Sequence, residues 1–250
     1  MNGEERKAVR TLQRDLLTTA TGEPYQPVRL YYDSPSPDGV IGAFRRLHCM
    51  AADGACWVWL YRNEVRELSF QRSYAEIPPE MHPIVIGRFR FPEPGCVTLD
   101  MRSTHRAIEA VRFFHAHFDS RIVLRRVRLV NRLFDVSESS GVGSLDRLLD
   151  ENVTVIEPSE ELAKLYALVA PQGKRASPFK MAARLMAHLE RREFPAVEDF
   201  PVAREDSADD FRQFTSALHL RLLLAQERWK GNQMTIVQVV RRLLGTSGAG

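Results

Sequence analysis

Two acidic side chains flank one turn near the start of the chain. The run VRLYY (28–32) reads as a strand, and Asp33 stands where it ends. The turn SPSPDG follows, and Asp38 and Gly39 open an apolar stretch that reads as a helix start. A strand that delivers an acid to its C-terminal end, with a second acid at a helix N-terminus, is where open α/β proteins hold metals and phosphates. The same residues also make an ordinary polar turn in which Asp38 caps the helix.

The basic candidates lie further on. Arg88 and Arg90 alternate in IVIGRFRFP, and Arg121, Arg125, Arg126, Arg128 and Arg132 follow one another in and around IVLRRVRLV. Exposed together, these arginines bind phosphates; a solvated strand face or a charged protein interface is an equal reading. Trp57 and Trp59 point the same way on a strand, either to stack on bases or to fill a core. His115 and His117 stand two apart on a helix and do not face each other, so they make a poor metal pair. His105 reads as an exposed helix-start histidine. No Ser-His-Asp spacing, phosphate-binding P-loop or GxGxxG is present.

The elements that must position these groups follow from periodicity. A short amphipathic helix is expected over 4–20, then the strand at 28–32 and a helix over 39–51. CWVWLYR (56–62) reads as a strand buried on both faces, and 65–72 as a weaker, exposed one. Strands at 84–92 and 96–103 precede a clear helix over 104–118, with Ile108, Val111, Phe114 and Phe118 on one side. In the strand at 122–130, Val123, Val127 and Leu129 share one face and Arg126, Arg128 and Arg132 the other. The pattern I-x-A-x-R-x-x-H recurs at Ile41–His48 and Ile108–His115, each time after a strand. Beyond SESSGVGS the chain reads as a strand at 153–157 and then helices over 159–170, 178–192, 208–229 and 234–244. Ser207 with Asp210 resembles a capping box. Strands alternating with helices predict a parallel, doubly wound α/β sheet followed by a mostly helical C-terminal region. The expected division is an N-terminal helix in 1–24, an α/β domain over 25–137, a helical region over 138–245 and a disordered tail at 246–250.

The chain has 250 residues, 44% hydrophobic, with 35 basic and 32 acidic side chains and a net charge of +3. That is room for a substantial core and too mild a charge to signal nucleic acid by itself. Three cysteines (Cys49, Cys56 and Cys96) without CxxC spacing read as reduced thiols. With no membrane-length apolar run and no signal-peptide core, the expectation is a cytoplasmic, membrane-free protein.

Three segments together resemble the DHH phosphoesterase superfamily, which includes exonucleases and cyclic-dinucleotide hydrolases that use two manganese ions. YYDSPSPDGVIGAF is similar to that family's opening strand, PDG turn and helix. IVIGRFRFP is similar to the strand carrying its next metal-binding aspartate, and CVTLDMRSTHRAIEA to the strand and helix around the signature. They span 28–118, under half of the chain. The resemblance implies Asp33, Asp38 and Asp100 as metal ligands. It also shows departures: Arg88 falls near a ligand aspartate, the signature reads Asp100-Met101-Arg102 without histidines, and no GGGH-like loop is present.

Two divalent ions need about six ligand positions each, which three carboxylates do not supply. Arg88 and Arg102 are expected beside them, where a permanent guanidinium charge takes the place of metal. The expected function is a catalytically degenerate DHH-like binding or regulatory subunit without a cofactor. It holds a protein partner through its helical half, or a phosphate-bearing ligand (nucleotide or nucleic acid) through Arg88, Arg102, Arg126 and Arg128. Two readings stand beside it. One is an active phosphoesterase on nucleotides or short oligonucleotides, with one Mn or Mg on Asp33, Asp38 and Asp100 and an arginine stabilising the transition state. The other is an α+β interaction module with no ligand site.

Overall fold

The period-two alternation of VRLYYD sorts the molecule into two faces. Val28, Leu30 and Tyr32 point one way and are buried, while Arg29, Tyr31 and Asp33 point the other. A computed structural model of the chain describes residues 14–140, 142, 144–157, 195–202, 208–239 and 242. In chain order the elements are β1 (Val28–Asp33), α1 (Pro37–Phe44), β2 (Met50–Asp53), β3 (Cys56–Leu60), β4 (Val85–Glu93), β5 (Cys96–Met101), α2 (Thr104–His115), β6 (Val123–Val130), α3 (Leu145–Asp150), β7 (Val153–Val155), β8 (Val197–Pro201) and α4 (Ala208–Trp229).

The strands form one eight-stranded sheet in the order β2-β3-β4-β5-β1-β6-β8-β7. Every pairing is antiparallel except β7 with β8. This overturns the expected parallel, doubly wound sheet. Two of these pairings, β2 with β3 and β4 with β5, are tight reversals. Gly54 at φ +60° turns β2 back as β3, and Gly95 at φ +84° turns β4 back as β5. Glycine takes this left-handed conformation without a Cβ penalty, so each strand returns beside its predecessor without a crossover helix.

The expected helical C-terminal region is also corrected. The strand expected at 153–157 appears as β7, and 197–201 adds an unexpected strand, β8, so that both join the same sheet. The sequence VEDFP hides β8 because Glu198 points into the core side, where an apolar residue is expected. Arg221 of α4 meets it there at 2.6 Å, and both side chains are buried or nearly so. The weak strand expected at 65–72 is a 3-10 turn at Asn63–Glu67, and the helix expected to reach residue 51 stops at Phe44. Residues 4–13 of the expected first helix, the helices at 159–170 and 178–192, Ser207 of the capping box and the tail at 246–250 lie outside the described residues. At 14–20 the chain forms isolated bridges, Leu16 with Asp135 and Thr18 with Pro24.

The core lies on the Leu30 side. α1 delivers Val40 and Phe44, α2 delivers Ala107, Ile108, Val111 and Phe114, and α4 delivers Phe214 and Leu218. Ser103 caps α2 by accepting the N–H of Arg106 at 3.1 Å. Phe44, Phe89, Phe114 and Phe118 pack with ring centroids 4.6–6.2 Å apart. Trp59 is fully buried in this cluster and Trp57 packs against it, so both tryptophans fill the core. Each fully buried large side chain here contributes about 1.5–3 kcal/mol. No helix among the described residues is long and apolar enough to cross a membrane.

Candidate functional site

The opposite face of the sheet is a polar ladder. Register places Arg88 of β4, Asp100 of β5, Arg29 of β1, Arg128 of β6 and Asp199 of β8 in one row across five strands. The next row holds Arg90, Thr98, Tyr31, Arg126 and Pro201. Arg88, Arg90, Asp100, Arg29, Tyr31 and Arg128 are where period-two alternation puts them, because their strand neighbours face the core, while a bulge between Tyr31 and Tyr32 sets Arg126 beside the exposed Arg125.

α3 packs on this face against β6 and β8. Leu149 is buried with Val130 and Val197, the apolar end of the same ladders, together with Tyr25 and Phe134. That anchor sets the helix so that Asp146 and Asp150, four residues apart and on one side, reach the arginines. Arg29 donates to Asp100 through Nε at 2.5 Å, to Asp146 through Nη2 at 2.5 Å and to Asp150 through Nη1 at 3.0 Å. Arg90 donates to Asp146 at 2.6 Å, and Arg128 bonds Asp150 and Asp199. Arg126 grips both oxygens of Asp199, at 3.0 and 2.5 Å. The guanidinium carbons of Arg126 and Arg128 lie 5.1 and 5.2 Å from the Tyr31 ring centre.

The titration of this cluster follows its geometry. Burial opposes the charge on Arg29, but the bonds and charge of Asp100 outweigh it and raise the guanidinium above its ordinary value. Burial likewise pushes the Asp146 carboxyl up, and Arg90 and Arg29 more than reverse this, holding it below the usual carboxylate range. Four arginines (29, 90, 126 and 128) meet four aspartates (100, 146, 150 and 199), so the network is neutral. Two of the four acids come from α3.

The residues singled out in the sequence divide between places. Arg126 and Arg128 come together on this face. Arg88 shares its row, but its guanidinium turns to Asp53 on the sheet edge, at 3.1 Å. Arg102 follows β5, exposed and two residues past Asp100, away from Tyr31 and Arg126; its carbonyl accepts the N–H of Gln26. Asp33 lies opposite Cys96, four residues along β1 from Arg29, whose partner is Asp100. At about 3.3 Å per residue, that separates Asp33 from Asp100 by roughly 13 Å along the strand. The Asp33 carboxylate pairs with Arg125 at 2.7 Å. Asp38 is exposed in the first turn of α1, and Ser36, not Asp38, is the cap. The three proposed metal ligands are therefore not brought together, and no metal-like group of three or more His, Cys, Asp or Glu occurs among the described residues. A cleft of about 390 Å³ beside α1, lined by Ser36, Asp38, Arg46, Asp119 and Arg121, mixes both signs of charge. Arg121 is already paired there with Asp119.

Arg29, Asp146, Asp150 and Asp199 were not singled out by sequence reasoning. Alternation within VRLYYD carries the signal for Arg29. Nothing local marks the three aspartates, which reach the ladder only through the placement of α3 and β8. Comparison of the chain with protein-family models, curated proteins and solved structures returns no match.

Proposed function

We propose that the chain is a binding protein whose polar sheet face takes a phosphate-bearing ligand, a nucleotide or a nucleic-acid strand. The single observation carrying this reading is the set of Arg29, Arg90, Arg126 and Arg128, which three strands, β4, β1 and β6, present on one face around Tyr31. A guanidinium is planar, always charged and shaped for two parallel bonds to a phosphate. The phenol ring in their midst adds an apolar, stacking-competent surface. Asp33, Asp38 and Asp100 standing apart favours binding over a one-ion phosphoesterase.

The test is fluorescence anisotropy with a labelled single-stranded oligonucleotide over a series of salt concentrations. Binding is expected, with affinity falling as salt rises. Arg126→Ala with Arg128→Ala should weaken it and reduce the salt slope by about one per arginine. Binding that this double variant leaves unchanged, or none at low salt, overturns the reading. The same oligonucleotide is incubated with manganese. Hydrolysis that Asp100→Asn abolishes would replace the binding role with a catalytic one.

A further inference from the structure

Three arginines on the ladder are engaged by carboxylates from outside the sheet. Arg29, Arg90 and Arg128 all reach Asp146 or Asp150, and both acids belong to α3. Arg29 and Arg128 are well shielded, at 9% and 15% side-chain exposure, whereas both α3 carboxylates are 45% open to water. One side of each acid is thus solvated while the other occupies the guanidinium forks. The helix that carries them is six residues long, and Ser144 gives it no side-chain cap. The backbone bonds at its two ends are long: Leu148 N to Ser144 O is 3.2 Å and Glu151 N to Arg147 O is 3.3 Å. So short a helix has little stability of its own and depends on what it docks against.

We infer that α3 is an internal stand-in for the ligand: the Asp146 and Asp150 carboxylates occupy the positions of two neighbouring phosphates on the arginine ladder, and the ligand binds by displacing them. This rests on the binding role proposed above and specifies its ligand and its control. An i, i+4 pair spaces the two acids by about 5–6 Å at Cβ, which selects a ligand carrying adjacent phosphate groups over an isolated one. With α3 docked the ladder is neutral. With α3 away, four arginines face two aspartates, and the face gains two positive charges. The apparent affinity of the whole chain is then reduced by the small fraction of molecules with α3 displaced.

The experiment compares the full chain with its Asp146→Asn, Asp150→Asn variant, both checked for equal secondary structure by circular dichroism. The probes are a labelled single-stranded oligonucleotide, with inorganic pyrophosphate and inorganic phosphate as competitors. The variant should bind the oligonucleotide roughly tenfold or more tightly, because each removed acid frees two ion-paired contacts. Its salt slope should steepen by about two. Pyrophosphate should displace the strand at lower concentration than phosphate does. If pyrophosphate competes at the oligonucleotide's own concentration, the source is a small nucleotide; if it needs large excess, the source is a strand.

A second readout is hydrogen exchange. The oligonucleotide at saturation should speed exchange of the Leu148 and Glu151 amides, which a merely structural helix would not show. Equal binding by both proteins, with α3 exchange unchanged, overturns the stand-in while leaving the binding role in place. Absence of binding by both proteins overturns both.

Discussion

Arg29 and Asp100 face each other across the β1–β5 ladder, joined by two bonds of 2.5 and 3.2 Å, with the aspartate fully buried. The carboxylate that resembled a metal ligand is thus one half of an ion pair at the centre of the sheet. Breaking such a pair strands a charge in low dielectric, which typically costs about 3–5 kcal/mol. Asp100→Ala is expected to lower unfolding stability by that amount in urea titration. Asp100→Ala combined with Arg29→Met should cost less than the sum of the two single changes.

Glu64 gives stability a specific acid dependence. Partial burial pushes its carboxyl up, but the N–H of His48, the His48 ring and Cys49 pull it down to about 2, from an ordinary 4.5. The folded state therefore binds this proton more weakly than the unfolded state. The contribution is complete above about pH 4.5 and is lost as pH falls toward 2. Glu64→Gln should flatten the stability curve over that window by about 1 kcal/mol, the carboxylate being partly exposed and screened. Urea midpoints of both proteins between pH 5 and pH 2.5 measure it.

Gly87 is a close-packing position. A Cβ there would stand 2.8 Å from Leu99 Cδ1 and 3.3 Å from the Trp59 ring. Gly87→Ala is expected to destabilise by about 1–3 kcal/mol through overpacking. Adding Leu99→Val removes the nearest methyl group and should make the double variant better than the sum of its parts, by about 0.5 kcal/mol or more.

The three thiols should react in order. Cys49 is buried, and burial with the nearby Glu64 carboxylate pushes its thiol up to about 12. Cys56 and Cys96 are half-buried, and Cys96 is held above its ordinary value by burial and by Glu93 and Asp33. The thiolate is the reactive species. A colorimetric disulfide reagent at pH 8 should titrate Cys56 first, then Cys96, and Cys49 only in denaturant.

Much of the sheet is legible in the sequence, and its direction is not. The alternation in RVRLV separates Val127 and Leu129 in the core from Arg126 and Arg128 on the polar face, but a bulge opposite Tyr31 and Tyr32 puts Leu124 in the core where Val123 is expected. The strands at 84–92 and 96–103 also appear, as β4 and β5. What misleads is the punctuation. Gly54 follows the stretch expected as a helix and Gly95 separates two expected strands, and each sits at positive φ in a strand reversal. β8 escapes because the partner that makes Glu198 acceptable inside, Arg221, lies 23 residues away on another element. The candidate site is half visible for the same reason. Its arginines obey local alternation, while Asp146, Asp150 and Asp199 matter only once tertiary structure brings them over.

The central strand has a consequence for biosynthesis. Val28 pairs with Met101 on one side and Leu129 on the other, so β1 has no sheet neighbour until β5 has been made. At about 5–20 residues per second, the roughly 70 intervening residues take about 4–14 s to synthesise. During that interval an apolar strand with both edges unpaired is available to other chains. Nascent-chain capture should accordingly find holding chaperones on VRLYY at lengths short of β5, and should find them released once β6 has emerged.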